Sequence, residues 1–139
     1  ESRKVKGKPG KVLFLMFDEK TEKLAKKAGL EVIFPSARMR TFMDNKVNTN
    51  RIAEKAGVPC VPYVLSPVKN YEHLNKVAAH LGTDLVVQTP FGDSGHTTFF
   101  IKNKADYAKY AKEIEEEKEC KVMKRINCRI PPACFLAAP

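Results

Sequence analysis

The segment Asp84-Leu-Val-Val-Gln-Thr-Pro-Phe-Gly-Asp-Ser-Gly-His-Thr-Thr-Phe-Phe-Ile101 sets two apolar runs, Leu85 to Val87 and Phe99 to Ile101, around a short polar link. Short runs of β-forming residues joined by a glycine-containing link predict a β-hairpin. The link holds Gly92, Ser94, Gly95, Thr97 and Thr98, more glycines and hydroxyls than a turn requires. Glycines let a backbone approach a ligand closely, and successive N–H groups with hydroxyls cradle phosphate oxygens. Gly-Asp-Ser-Gly is also ordinary turn chemistry, so the surrounding sequence has to decide between a plain loop and a cradle.

On the C-terminal side, Ala105 to Glu117 predicts a helix with Tyr107, Tyr110, Ala111 and Ile114 on one face, and Cys120 to Ile126 predicts a strand. On the N-terminal side, Leu74, Val77, Ala78 and Leu81 repeat at helical spacing within Tyr71 to Leu81, after an extended segment from Pro62 to Leu65. The order β-α-β-β-α-β predicts an antiparallel four-stranded sheet with two helices on one side. Ahead of it, Asp44 to Gly57 reads as a helix with polar capping residues and a glycine stop, and Ser36 to Met43 as a short helix or turn.

The chain opens differently. Lys11-Val-Leu-Phe-Leu-Met-Phe17 is a continuous apolar run, expected as a strand buried on both faces. Asp18 is placed to cap a helix with Leu24, Ala25 and Ala28 inward and Gly29 as its stop. Leu30 to Phe34, ended by Pro35, is a second strand, so this is a βαβ unit with parallel strands. The fold class expected is therefore mixed, α/β and α+β. Residues 1–45 form the end of a parallel-sheet βαβ domain, and residues 46–139 carry the β-α-β-β-α-β unit.

At 139 residues and 43% hydrophobic, the chain has material for a core. It has no apolar run near the roughly 18 residues of a membrane span. The start, Glu1 to Gly10, is polar and basic rather than a signal peptide, and the absence of an initiating Met suggests a processed or trimmed chain. A net charge of +9, from 25 basic and 16 acidic residues, favours anionic partners such as nucleotides. Most of the lysines are spread over expected solvent faces. Cys60, Cys120, Cys128 and Cys134 show no C-x-x-C spacing, which points to reduced thiols in a cytoplasmic protein. The tail from Ile130 to Pro139 has no decodable pattern, and Pro131-Pro132 bars a regular helix there. His73 and His80 lie on an expected helix without a partner pattern and are assigned no chemistry.

Three features taken together resemble the ATP-grasp superfamily, and biotin-carboxylase-like carboxylate ligases most closely. They are Asp44-Asn-Lys46 leading into a helix that ends Lys55-Ala-Gly-Val-Pro59, the segment Leu85 to Thr98, and Lys121-Val-Met-Lys-Arg-Ile126. The likeness runs from about Val12 to Arg129. It implies that residues 46–139 form the lid subdomain and nucleotide hinge of such an enzyme, and that residues 1–45 close the domain before it. The implied activity is ATP-dependent formation of an acyl phosphate from a small carboxylate, passed on to an amine or similar nucleophile. Lys46 then matches a phosphate-reaching lysine, Gly92, Asp93, Ser94, Gly95, His96 and Thr97 match the phosphate-covering loop, and Met123, Lys124, Arg125 and Ile126 match the adenine hinge.

Departures from the pattern are specific. Gln88 stands where the family commonly has a second phosphate lysine, and it offers hydrogen bonds without charge. Lys124 and Arg125 stand where an acidic residue is common, and Ile130 where a glutamate is expected. The resemblance puts the Mg²⁺ ligands and a substrate-binding arginine outside these 139 residues, so ATP is the expected ligand and Mg²⁺ a cofactor held elsewhere. The remainder of a parent enzyme or a second copy of the chain are the expected protein partners. The alternative is a non-catalytic nucleotide- or partner-binding module on the same fold. An RNA-binding sheet is a third reading, but adjacent Phe99 and Phe100 cannot both face one surface, and nucleic acid is not the expected partner.

Overall fold

A computed structural model describes residues 4–5, 7–92 and 95–126. Asp93, Ser94 and residues 127–139, including Cys128, Cys134 and the proline-rich tail, lie outside the described residues.

Strand alternation organises the larger sheet. Strands β4 (Tyr63–Ser66), β5 (Leu85–Gln88), β6 (Thr98–Ile101) and β7 (Cys120–Lys124) pair in the order β4-β7-β5-β6, and every neighbouring pair is antiparallel. The last strand in sequence thus enters between β4 and β5. Those two must then run parallel, as must β6 and β7 on either side of β5. The connections are α4 (Tyr71–Val77), extended by a 3₁₀ turn at Ala79–Leu81, and the pair α5 (Lys104–Ala108) and α6 (Ala111–Glu115).

One face of this sheet meets all of those helices. Leu74, Ala78, Leu81, Tyr107 and Ile114 share a core with Leu85, Val87, Phe99, Ile101, Cys120 and Val122. The strand members of that core alternate, as period 2 requires. The opposite face therefore carries Tyr63, Leu65, Val86, Gln88, Thr98, Phe100, Lys121 and Met123. The continuous helix expected over 105–117 is broken at Lys109–Tyr110. There Tyr110 leaves helical geometry (φ −127°, ψ 11°) and stacks its ring on Phe99 at 4.8 Å.

The N-terminal sheet follows the order β1-β2-β3, with β1 at Lys4–Val5, β2 at Lys8–Val12 and β3 at Leu30–Val32. β2 and β3 are parallel, Gly10 to Val12 facing Leu30 to Val32, around helix α1 (Glu19–Lys27). Asp18 caps α1 by accepting from the Thr21 amide at 2.8 Å. Two expectations need correcting. The strand does not run from Lys11 to Phe17: it begins inside the basic segment, where Gly7 (φ +77°) turns β1 onto β2, and it stops at Val12, where β3 ends opposite it. Leu13, Leu15 and Met16 are consequently exposed, and only Phe17 is buried, against Phe14 and Phe34. Leu24, expected inward on α1, is 65% exposed, while Ala25 is buried.

Helix α2 (Ala37–Asp44) is tied to this unit by the Ala37 amide donating to Glu22 Oε2 at 2.9 Å and by Arg40 donating to the Phe17 carbonyl at 3.0 Å. Asn45 caps α3 (Lys46–Lys55), accepting from the amides of Val47 and Asn48 at 2.9 and 3.1 Å. That cap fixes where Lys46 begins.

Leu74 is fully buried, so Leu74→Ala is expected to cost about 2–5 kcal/mol in denaturant unfolding. Leu24→Ala, on the exposed side of α1, should stay within about 0.5 kcal/mol of the parent. Equal costs would contradict this assignment of inside and outside. Thiol labelling supplies a second check. Burial pushes the Cys120 thiol up to about 12, whereas Cys60 is exposed. Peptide mass spectrometry after alkylation at mildly alkaline pH should find Cys60 modified in the folded chain and Cys120 only after unfolding.

Candidate nucleotide-binding face

Lys46 is the first residue of α3, and both ends of it meet the link after β5. Its amide donates to the Pro90 carbonyl at 2.8 Å, and its Nζ donates to the Gly92 carbonyl at 2.7 Å. A helix start repels a cation, because its free N–H groups already carry partial positive charge. The carbonyl of Gly92 offsets that here. Gly92 sits at φ +138°, and a Cβ built on it would overlap the Thr97 side chain. The two ends of the link are thus pressed together at a point only glycine permits. The Thr89 amide donates to the Thr97 carbonyl at 3.2 Å and the Thr98 amide to the Gly95 carbonyl at 3.1 Å, which closes the loop. The Thr97 hydroxyl is buried without a hydrogen-bond partner among the described residues. Gly95 and His96 are exposed.

The sheet face turned away from α4–α6 continues from this loop. Register places Leu65, Lys121, Gln88 and Thr98 in one row across the four strands, and Tyr63, Met123, Val86 and Phe100 in the next. Gln88 donates to the Thr98 hydroxyl at 3.0 Å. The first row is polar at its centre and lies at the loop end of β5. The second row is apolar and lies nearer the far end, where Leu85 faces Lys124. Those ends are three residues apart, about 10 Å at roughly 3.4 Å per residue.

Arg125 crosses this far end. Its guanidinium lies 4.8 Å from the Phe100 ring centroid and 3.8 Å from Asp84 Oδ1, and its amide donates to the Asp84 carbonyl at 3.0 Å. Lys124, by alternation, projects to the other side of the sheet and is exposed, and Ile126 is 60% exposed. The structure therefore joins Lys46, Gly92 and Thr97 in one cluster and puts Gln88 in the adjoining row. Arg125 stands at the opposite end, Lys124 and Ile126 are not drawn into contact with that cluster, and Asp93 and Ser94 lie outside the described residues.

Lys121 was not among the candidates read from sequence, whereas Thr98 belongs to the hydroxyl-rich link read there. Lys121 is half-buried, its Nζ 5.7 Å from the Tyr63 ring centroid, and burial lowers its pKa from the usual lysine value. The signal was the lysine between Cys120 and Val122, which alternation assigns to the face opposite the core. Behind the loop, Thr89, Phe91, His96, Thr97, Tyr110 and Glu113 line a cleft of about 580 Å³ that Glu116 and Glu117 make acidic. Among the described residues no group of three or more His, Cys, Asp or Glu is arranged to hold a metal ion. No helix among them is long and apolar enough to cross a membrane.

No family model matches the chain. Sequence relatives include a pyruvate carboxylase from Aspergillus terreus, 28% identical over 80 residues, which are 58% of this chain and 7% of that protein. A biotin carboxylase from Haemophilus influenzae is 34% identical over 70 residues, 50% of this chain and 16% of that enzyme. The chain thus spans a small part of the curated relatives it matches. Among solved structures, the ADP complex of an N5-carboxyaminoimidazole ribonucleotide synthetase superposes with a TM-score of 0.55 at 24% identity, covering 78% of this chain and 28% of its own. The biotin carboxylase domain of Hydrogenobacter thermophilus 2-oxoglutarate carboxylase, bound to MgADP, ADP and bicarbonate, gives 0.57 at 20%, covering 76% and 25%. D-alanyl-alanine synthetase A from Vibrio cholerae gives 0.63 at 12%, covering 84% and 38%. The chain thus shares the fold of these ATP-grasp enzymes, and a stretch of its sequence is similar to pyruvate and biotin carboxylases.

Proposed function

We propose that this chain is the ATP-binding portion of an ATP-dependent carboxylate ligase, with residues 46–139 as the lid and hinge over the nucleotide and residues 1–45 as the end of the preceding βαβ domain. The observation that carries the reading is Lys46 Nζ held on the Gly92 carbonyl at 2.7 Å, at the edge of a sheet face whose polar row continues from the same loop. A triphosphate at the loop end would take over that ammonium, and loop amides and the Thr97 hydroxyl would face its oxygens. The apolar row of Met123 and Val86 offers a bed for a purine, with backbone groups of Lys124 to Ile126 at its edge.

In this reading the chain's work in catalysis is charge and position. Phosphoryl transfer from ATP to a carboxylate leaves an acyl phosphate that an amine or similar nucleophile then attacks, and the protein's share is to hold the phosphates and neutralise their charge. Lys46 holds phosphate oxygens. Gly92, Asp93, Ser94, Gly95, His96 and Thr97 cover them, while Gln88 donates a neutral hydrogen bond, and Lys124, Arg125 and Ile126 flank the base. Mg²⁺, when bound, would supply further charge neutralisation at the phosphates. The resemblance puts its ligands outside these 139 residues. The exposed apolar residues of the N-terminal unit, Leu13, Leu15, Met16 and Phe34 among them, suit cover by the rest of a parent enzyme or by a second copy. A non-catalytic nucleotide-binding module is the second reading, favoured by the uncharged Gln88 beside the loop.

Calorimetric titration of ATP, with and without Mg²⁺, is expected to give saturable binding weakened about tenfold in Lys46→Ala, the loss of one charge-assisted contact. Gly92→Ala should weaken it as well, because the added Cβ meets Thr97 and φ is left-handed there. Flat heats for the parent chain would contradict the nucleotide reading. Binding without carboxylate-dependent ATP turnover, when the parent enzyme is assayed, would favour the module.

A further inference from the structure

We propose that Lys121 is a phosphate contact of this chain's nucleotide site, supplying from β7 the positive charge that Gln88, its neighbour on β5, does not carry. The inference rests on the nucleotide reading of this face and adds a residue to it. Lys121 and Gln88 are register partners, and period 2 puts both side chains on the face away from the core. Directly opposite residues have Cβ atoms about 5 Å apart, so a phosphate oxygen over one is within reach of the other.

The surroundings of Lys121 leave its charge unused. Two carboxylates in its neighbourhood are committed: Glu119, two residues before it, is held by Arg51 at 2.7 and 2.8 Å, and Glu54 accepts from the hydroxyl of Tyr63, whose ring Lys121 meets, at 2.8 Å. Among the described residues Lys121 makes no ion pair, and its contact is the Tyr63 ring. A half-buried ammonium with no counter-charge is costly unless an anion completes it. Gln88 gives one of its two amide N–H groups to Thr98, which orients it without adding any charge. Lys46 meets the link two to four residues after Gln88, through the Pro90 and Gly92 carbonyls, while Lys121 lies beside Gln88 on β7. A di- or triphosphate running from the link onto the row would meet both cations, whereas a nucleoside over the apolar row would meet neither.

The test is titration of ATP, ADP and adenosine into the parent chain, Lys46→Ala, Lys121→Gln, Lys121→Met and the exchange variant Lys121→Gln with Gln88→Lys. Circular dichroism and the unfolding midpoint report on each fold. Lys121→Gln and Lys121→Met are expected to weaken ATP and ADP about tenfold and to leave adenosine unchanged. The exchange variant should recover most of the loss, because it returns one charge to the same row. Lys121→Met keeps the stem over Tyr63, so a packing role predicts parent-like binding for it. Weakening by Lys46→Ala alone, with Lys121 variants like the parent, overturns the Lys121 proposal and leaves the nucleotide site standing. Equal losses for ATP and adenosine, or no recovery on exchange, also overturn it. A parent chain that binds none of the three sinks the nucleotide reading itself and the proposal with it.

Discussion

The register of β7 between β4 and β5 is the constraint on which the rest of this structure depends. Val122 faces Val87 and Val64, Cys120 joins the same core, and the helices close over them. A slip of one residue would turn Lys121 into that core and Val122 out of it, because side chains alternate strictly along a strand. Burying an unpaired lysine among Leu74, Ile114 and Phe99 would cost more than the sheet could recover. The same hydrophobic bookkeeping that fixes the fold therefore also lays Lys121, Gln88 and Thr98 side by side on the other face.

The loop and the sheet face are coupled through a second constraint, the meeting of α3 with the link after β5. Asn45 caps the helix, which sets the first helical residue as Lys46. The Pro90 and Gly92 carbonyls then hold that residue by its amide and its ammonium. Gly92 allows the close approach and Thr97 occupies the space a side chain would need. These contacts place a cation at the link that follows β5, and among the described residues it makes no ion pair. They also mean that a ligand arriving at the loop competes with a backbone carbonyl rather than with a carboxylate, a weaker opponent.

Much of this was legible in the sequence because periodicity reports burial. Leu74, Ala78 and Leu81, and the two strands of the Leu85–Ile101 hairpin, lie where their spacing puts them. The parallel pairing of β2 with β3 and the cap at Asp18 were legible too. Pattern alone failed where a partner decides. Leu13 to Phe17 is as apolar as any strand, yet a strand needs a neighbour, and β3 has only Leu30 to Val32 to offer. Leu24 lies on an amphipathic helix, but Ala25 faces the neighbour. The helix over 105–117 breaks because Tyr110 gains a stacked contact with Phe99, a tertiary event no local propensity encodes. At the candidate site, Gly92 could be picked out from the glycine-containing link and Lys46 from the family resemblance, whereas Lys121 required the pairing register, which is a property of two strands rather than one.

Amide chemical-shift mapping of the chain during an ATP titration tests the central claim most directly, since it reports which face the ligand touches. Perturbations concentrated at Lys46, Gln88 with its side-chain amide, Gly92, Gly95 to Thr98 and Lys121 to Arg125, with α4 and α5 left quiet, are what the account predicts. Perturbations centred on the helix-covered side or on the acidic cleft at Glu113, Glu116 and Glu117, or none at saturating ATP, would contradict it.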